Sequence, residues 1–159
     1  MSKIDILMAT YNGENFLKEQ IESILNQTYS NFRLIISDDC SKDTTREILK
    51  EYEKKDNRIE IYFQEKNLGY VKNFEFLLNK VQNEFYMLSD QDDYWLPEKI
   101  EKSLEKLQEN NVDLVFGDLE VVDEKMNTIY PSFDDFMLLN RKINKYIDSY
   151  KVNYLYNCV

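Results

Sequence analysis

The sequence predicts an α/β fold, a mostly parallel central sheet flanked by helices. Short β-rich apolar runs alternate with amphipathic segments of roughly 10–15 residues, the pattern of repeated βαβ units. Several of those runs end in polar or acidic residues rather than in hairpin turns, as strands do when they open onto a ligand-binding edge. The first run, KIDILMA, leads into a helix from about Asn15 to Asn26 that lines up Leu17, Ile21, Ile24 and Leu25 on one face. FRLIIS is the second strand, and Ser41 is placed to N-cap the helix that turns Ile48, Leu49 and Tyr52 inward. RIEIYFQ and EFYMLS follow as third and fourth strands, separated by another helix-period stretch. Pro97 suits the first turn of a helix carrying Ile100, Leu104 and Leu107, and VDLVFG reads as a fifth strand. Beyond about Asp123 the periodicity weakens. MNTIYPSFDDFMLLN has the composition of a long loop, and NRKINKYIDSYKVNYLYNCV that of a helix running into a strand. Because YNCV lies inside an apolar run, the expectation is a chain truncated at its C-terminus.

Length and composition narrow the function. The 159 residues suit a single domain with a real core. We divide it into a ligand-binding half over about 1–123 and the start of a second, incomplete half over about 124–159. With 43% apolar and 31% charged residues and no long apolar run, the sequence reads as soluble. Its N-terminus lacks a secretory apolar region, which points to the cytoplasm. Cys40 and Cys158 are too far apart for a metal-binding pair and read as reduced structural thiols. A formal net charge of −10 argues against nucleic acid as a partner. There is no histidine, so Ser-His and Cys-His nucleophilic schemes and the H-E-x-x-H metalloprotease motif are excluded.

The chemistry concentrates at three strand ends, ILMATYNGE, LIISDDCSKD and YMLSDQDD, which a parallel sheet places on one edge. In Asp90-Gln91-Asp92-Asp93, three carboxylates crowd into four positions. Like charges this close are costly unless a proton or cation neutralises them. Two or three carboxylate oxygens, with water and a diphosphate to complete the shell, suit Mg²⁺ or Mn²⁺.

In order and spacing, ILMATYNGENFLKEQIESILNQTYSNFRLIISDDCSKDTT, EKNLGYVKNFEFLL, FYMLSDQDDYWLPEKI and the following FGD resemble the N-terminal part of a family 2 glycosyltransferase with the GT-A, Rossmann-like fold. The resemblance covers essentially the whole chain. It implies an inverting enzyme that uses a uridine- or deoxythymidine-diphosphate sugar. The more detailed likeness is to bacterial rhamnosyltransferases and their relatives of surface-polysaccharide assembly, with a glycan or lipid-linked saccharide as acceptor. Beside the cytoplasmic location read from the N-terminus, such acceptors leave open an association with the inner face of the cell membrane. Residue by residue, the resemblance implies Thr10, Tyr11 and Asn12 in the nucleotide pocket and Asp39 accepting from the imide N–H of the pyrimidine. It places Asn67 and Gly69 in a turn over the nucleotide, with Lys72 toward the diphosphate. Asp92 is implied as the direct metal ligand, Asp90 near the ribose and the metal's waters, and Asp93 at the donor sugar or acceptor. Trp95 is the candidate for sugar stacking, with packing at a helix start as the rival reading. The general base of the family is expected beyond residue 159, and Asp118, Asp134 and Asp135 are not promoted to that role.

Other folds that gather acids at strand ends fit less well. A haloacid-dehalogenase-like phosphatase or a receiver domain would carry its acids on the first strand, and a dinucleotide-binding domain would need G-x-G-x-x-G. The sixth position of an EF-hand loop requires glycine and here holds Trp95. A nucleotide-sugar-binding module without catalysis is the alternative from another functional class.

Overall fold

The computed structural model describes residues 2–110, 112–123 and 126–133. The chain divides into two compact units, Met1–Glu101 and Lys102–Val159. The first holds strands β1 (Ile4–Thr10), β2 (Phe32–Asp38), β3 (Ile59–Phe63) and β4 (Phe85–Ser89), with helices α1 (Leu17–Leu25), α2 (Thr45–Lys55) and α3 (Tyr70–Leu78). Helix α4 spans Lys99–Asn110. The strand order is β3-β2-β1-β4 and every pairing is parallel. Right-handed crossovers put the β1–β2 and β2–β3 helices on one face and the β3–β4 helix on the other.

The register aligns the burial of neighbouring strands. Met8 sits beside Ile36 on one side and Ser89 on the other, and Leu7 beside Ile35 and Leu88. Strand alternation then sends Leu7 and Ile35 to the α3 face, where they pack with Phe74 and Leu77. Ile4, Ile6, Met8, Leu34 and Ile36 are buried on the opposite face together with Leu17, Ile21 and Ile24 of α1. Each such side chain contributes about 1.5–3 kcal/mol of burial. The central strands are hydrophobic without alternation because both faces are covered.

Away from the carboxyl edge, Asp5 of β1 lies fully buried and accepts from Arg33 Nε (2.9 Å) and from the backbone N–H groups of Gln82 (2.7 Å) and Asn83 (3.1 Å). Burial opposes its charge, but these donors outweigh it and hold the carboxyl below the ordinary range. This network fastens the chain entering β4 to β1 and β2.

Three expectations need correction. Ser41 is not the cap of α2: its hydroxyl donates to Asp38, Thr44 holds the cap position, and Asp43 Oδ1, one residue earlier, accepts the N–H of Thr45 (3.0 Å). VDLVFG forms no ladder among the described residues, and its Leu114 and Phe116 are exposed. The segment read as a long loop contains β6 (Thr128–Tyr130), antiparallel to β5 (Val121–Val122), with Met126 at φ 62° in the turn. The predicted helix and strand near the C-terminus, and Asp134 and Asp135, lie outside the described residues. Among those residues, no helix is long and apolar enough to cross a membrane.

Candidate functional site

The strand order reverses between β1 and β4, so the crevice outside their carboxyl ends is where a parallel sheet offers a ligand site. The loops after β1 and β2 are fastened to each other on its β2 side. Asn12, at φ 49°, donates its N–H to Ser41 Oγ (2.9 Å) and accepts from the Lys42 N–H (2.8 Å). The Gly13 N–H reaches Thr45 Oγ1 (2.8 Å), and Glu14 accepts from both the N–H (3.0 Å) and the hydroxyl (2.7 Å) of Thr44.

The acid pair at the end of β2 divides its work. Asp38 is fully buried and binds Arg46 Nε (2.6 Å), the Thr10 hydroxyl (3.3 Å) and the Ser41 N–H (3.1 Å), so its charge is spent inside the scaffold. Asp39 instead faces the 67–69 turn. Its two oxygens accept from the N–H groups of Leu68 (2.6 Å) and Gly69 (2.9 Å), and Asn67 Nδ2 donates to its carbonyl (3.2 Å). Gly69 has φ 82°, a conformation that favours glycine. The structure thus joins Asp39, Asn67 and Gly69 in one cluster, with Lys72 exposed on α3 just beyond. Thr10 is buried at the end of β1, whereas Tyr11, the next residue, is exposed.

On the β4 side, Asp90 Oδ2 is buried and has no hydrogen-bond partner. Burial first, then the charges of Asp93 and Asp92, push the Asp90 carboxyl up to about 7 despite Lys99. Asp93 rises to about 6, mainly through burial, with Lys99 opposing and Asp92 adding to the shift. Asp92 is more open, and its carboxyl is raised as well because loss of hydration outweighs a backbone hydrogen bond. Lys99 pays for its position: burial lowers its pKa while Asp93 and Asp90 hold it up, and its Nζ lies 4.4 Å from the centre of the Trp95 ring. A buried carboxylate oxygen without a donor is the feature a proton or a cation would remove. The donor set, Asp90 and Asp92 in hard oxygen, fits Mg²⁺ or Mn²⁺. No group of three acidic or cysteine side chains is arranged to hold a metal by itself among the described residues, so ligand and water would complete the shell.

Trp95 is only 1% exposed, which corrects its reading as a sugar platform. Its backbone N–H donates to Ser23 Oγ (3.0 Å), and with the Gln20 amide assigned in the orientation that satisfies both its ends, the indole N–H donates to Gln20 Oε1 (3.2 Å). With that orientation the carboxamide of Gln20 also accepts from Ser89 Oγ (2.7 Å) and donates to the Asp93 carbonyl (2.5 Å). Gln20 therefore supports the acidic loop from beneath. Sequence reasoning missed it, although a polar residue in the apolar stripe Leu17, Ile21, Ile24 was the available signal. Gln27 was missed as well: its Oε1 accepts the Ile100 N–H (3.1 Å) at the start of α4, and its Nε2 donates to the Leu96 carbonyl (2.8 Å).

The sequence model described as Glycosyl transferase family 2 matches residues 5–158. Over 113 residues the chain is 34% identical to a Bacillus subtilis protein described as the putative teichuronic acid biosynthesis glycosyltransferase TuaG, covering 71% of this chain and 45% of that one. Over 130 residues it is 32% identical to WfgD of Escherichia coli, a UDP-Glc:alpha-D-GlcNAc-diphosphoundecaprenol beta-1,3-glucosyltransferase, covering 82% and 50% of the two chains. The chain spans about half the length of these curated relatives. Among solved structures it resembles S. aureus TarS in complex with UDP-GlcNAc, with a TM-score of 0.63 and 25% identity over 76% of this chain and 40% of that one. It also shares the fold of the mannosyltransferase PcManGT from Pyrobaculum calidifontis in complex with GDP-Man and Mn²⁺, at a TM-score of 0.62 and 17% identity over 76% of this chain and 35% of that one.

Proposed function

The chain belongs to glycosyl transferase family 2 and has the GT-A fold, and from that premise we propose that it binds a uridine- or deoxythymidine-diphosphate sugar with Mg²⁺ or Mn²⁺ for transfer to a glycan or lipid-linked acceptor. The observation that carries this reading is the partnerless buried oxygen of Asp90 beside the open carboxylate of Asp92, at the point where the strand order reverses. The names of the relatives supply a class of chemistry. One acts from UDP-Glc on a diphosphoundecaprenol-linked sugar, and one is seen with UDP-GlcNAc. Cell-surface polysaccharide assembly, at the inner face of the membrane, is the setting we infer.

In this reading Asp39 accepts the imide N–H of uracil or thymine. Tyr11 and Asn12 line the nucleoside, Thr10 supports them from below, and the Asn67–Gly69 turn closes over the nucleotide with Lys72 toward the phosphates. Asp92 and Asp90 hold the cation, and Asp93 orients the donor sugar or the acceptor hydroxyl. A bound divalent cation supplies charge neutralisation for the departing diphosphate. The acceptor hydroxyl displaces it from the opposite face of the sugar, inverting the anomeric centre. We assign no residue of this chain as the general base, and rhamnosyl specificity remains part of the proposal.

Calorimetric titration of uridine and deoxythymidine diphosphates, with Mn²⁺ and then with chelator, tests the reading. Metal-dependent binding at one site supports it, whereas a folded chain that binds neither nucleotide under either condition overturns it.

A further inference from the structure

The middle residue of Asp90-Gln91-Asp92 makes contacts that a mere spacer would not. Beyond Met8 paired with Ser89, β1 continues to Thr10 while β4 has ended. The backbone then keeps its alternation. The Thr10 carbonyl accepts the Asp39 N–H on the β2 side (2.8 Å), and Tyr11 presents both N–H and C=O to the β4 side. The Gln91 carboxamide meets both of them. Its Oε1 accepts the Tyr11 N–H (2.9 Å), and its Nε2 donates to the Tyr11 carbonyl (3.1 Å). A side chain thus takes the place of the next rung in the ladder.

Room for this contact comes from Gly13. A Cβ on Gly13 would lie 2.3 Å from Gln91 Oε1 and 2.6 Å from its Cδ, inside any allowed contact. The absence of a side chain at position 13 and the carboxamide at position 91 are therefore two parts of one fit. Gly13 also donates its own N–H to Thr45 Oγ1 (2.8 Å), so the clasp continues through the β1 loop to α2.

We infer that Gln91 is a positioning residue that locks the acidic loop to the Tyr11–Gly13 loop and so couples cation binding to nucleotide binding. The inference rests on the glycosyltransferase reading above, because it gives those two loops their ligands. Asp90 and Asp92 flank Gln91, so any slippage of the loop relative to Tyr11 changes the separation between the cation and the nucleoside. Two neutral hydrogen bonds are too few to decide folding, but they are enough to decide register at a strand end.

The experiment compares uridine diphosphate binding by the 159-residue chain and by Gln91→Met, which keeps length and loses both hydrogen bonds, with Mn²⁺ and with chelator. The expected result is that the Mn²⁺-dependent gain in affinity falls about tenfold, the scale of two lost hydrogen bonds, while affinity in chelator changes less than twofold. Gly13→Ala, which forces the carboxamide out without altering it, should reproduce the loss, and Gln91→Ala with Gly13→Ala together should be no worse than Gln91→Ala alone. An unchanged Mn²⁺ gain in folded Gln91→Met, or additive losses in the double variant, overturns the inference and leaves the functional reading standing. An unaltered chain that shows no Mn²⁺-dependent binding overturns the functional reading, and this inference with it.

Discussion

Asp39→Asn separates the contact that the structure gives this carboxylate from the base-reading task that we propose for it. In the native chain each oxygen accepts a backbone N–H, from Leu68 at 2.6 Å and from Gly69 at 2.9 Å. Asparagine keeps the shape but offers one oxygen, so one of these N–H groups must face an NH₂. Hydrogen bonds to charged groups contribute about 1.5–3 kcal/mol, so loss of one, with donor facing donor, should destabilise the chain by about 2–3 kcal/mol. At about 2–4 °C per kcal/mol for a chain of this size, the melting midpoint should fall by roughly 5–10 °C. The base-reading task responds differently. An amide oxygen still accepts an imide N–H, but without the charge, so uridine diphosphate should bind about tenfold more weakly. The same amide turned over can donate to N3 of cytosine, so the preference for uridine over cytidine diphosphate should shrink as well. Calorimetry with both nucleotides and a thermal melt on the same sample measure all three quantities. A lowered midpoint with the base preference intact would leave Asp39 as the anchor of the 67–69 turn and refute it as the base reader. An unchanged midpoint would refute its anchoring of that turn.

Further predictions concern the acidic loop. Asp90 and Asp93, raised to about 7 and about 6, hold their protons more tightly folded than unfolded. Their stabilising contribution is therefore complete below about pH 4 and lost as pH rises through 6 to 7. Without metal the melting midpoint should fall over that window, and Mn²⁺ should raise it more at pH 8 than at pH 5.5; a metal-induced shift independent of pH would contradict the carboxylate assignment. Asp90→Asn removes the buried charge, so at pH 8 it should stabilise the metal-free chain by roughly 1–3 kcal/mol in denaturant melts while abolishing the metal dependence of nucleotide binding. Gln20→Leu leaves the Trp95 indole N–H and the Asp93 carbonyl beneath the loop without their partner, and should cost about 2–3 kcal/mol by the same assay; a neutral result would show that the buried carboxamide is replaceable packing.

How much of this was legible in the sequence depended on whether a residue's role is local or shared. β1 to β4 and α1 to α3 were readable because the period of their apolar residues records which side of the chain is covered, and both faces of this sheet are. The edge carrying the site was readable for the same reason: once the strands are parallel, polar endings at Thr10, Asp38 and Ser89 must fall together. VDLVFG carries no strand among the described residues: its β-rich composition is a local preference, and strand formation depends on context beyond the segment. Ser41 failed by competition. It and Asp43 can each accept a helix N–H, and Asp38 drew Ser41 away.

The acidic loop shows a subtler limit. Asp90, Asp92 and Asp93 are the same residue within four positions, and only burial distinguishes the orphaned oxygen of the first from the open carboxylate of the second. The contacts that hold the loop come from far off in sequence: Gln20 reaches the Asp93 carbonyl, Ser23 the Trp95 N–H and Tyr11 the Gln91 carboxamide. The residues that look chemical are therefore not the ones that hold the loop in place. Glutamines at 20 and 91, unremarkable by type, determine where the charges stand, and the double variant of Gln91 and Gly13 is the perturbation that moves those charges without changing any of them.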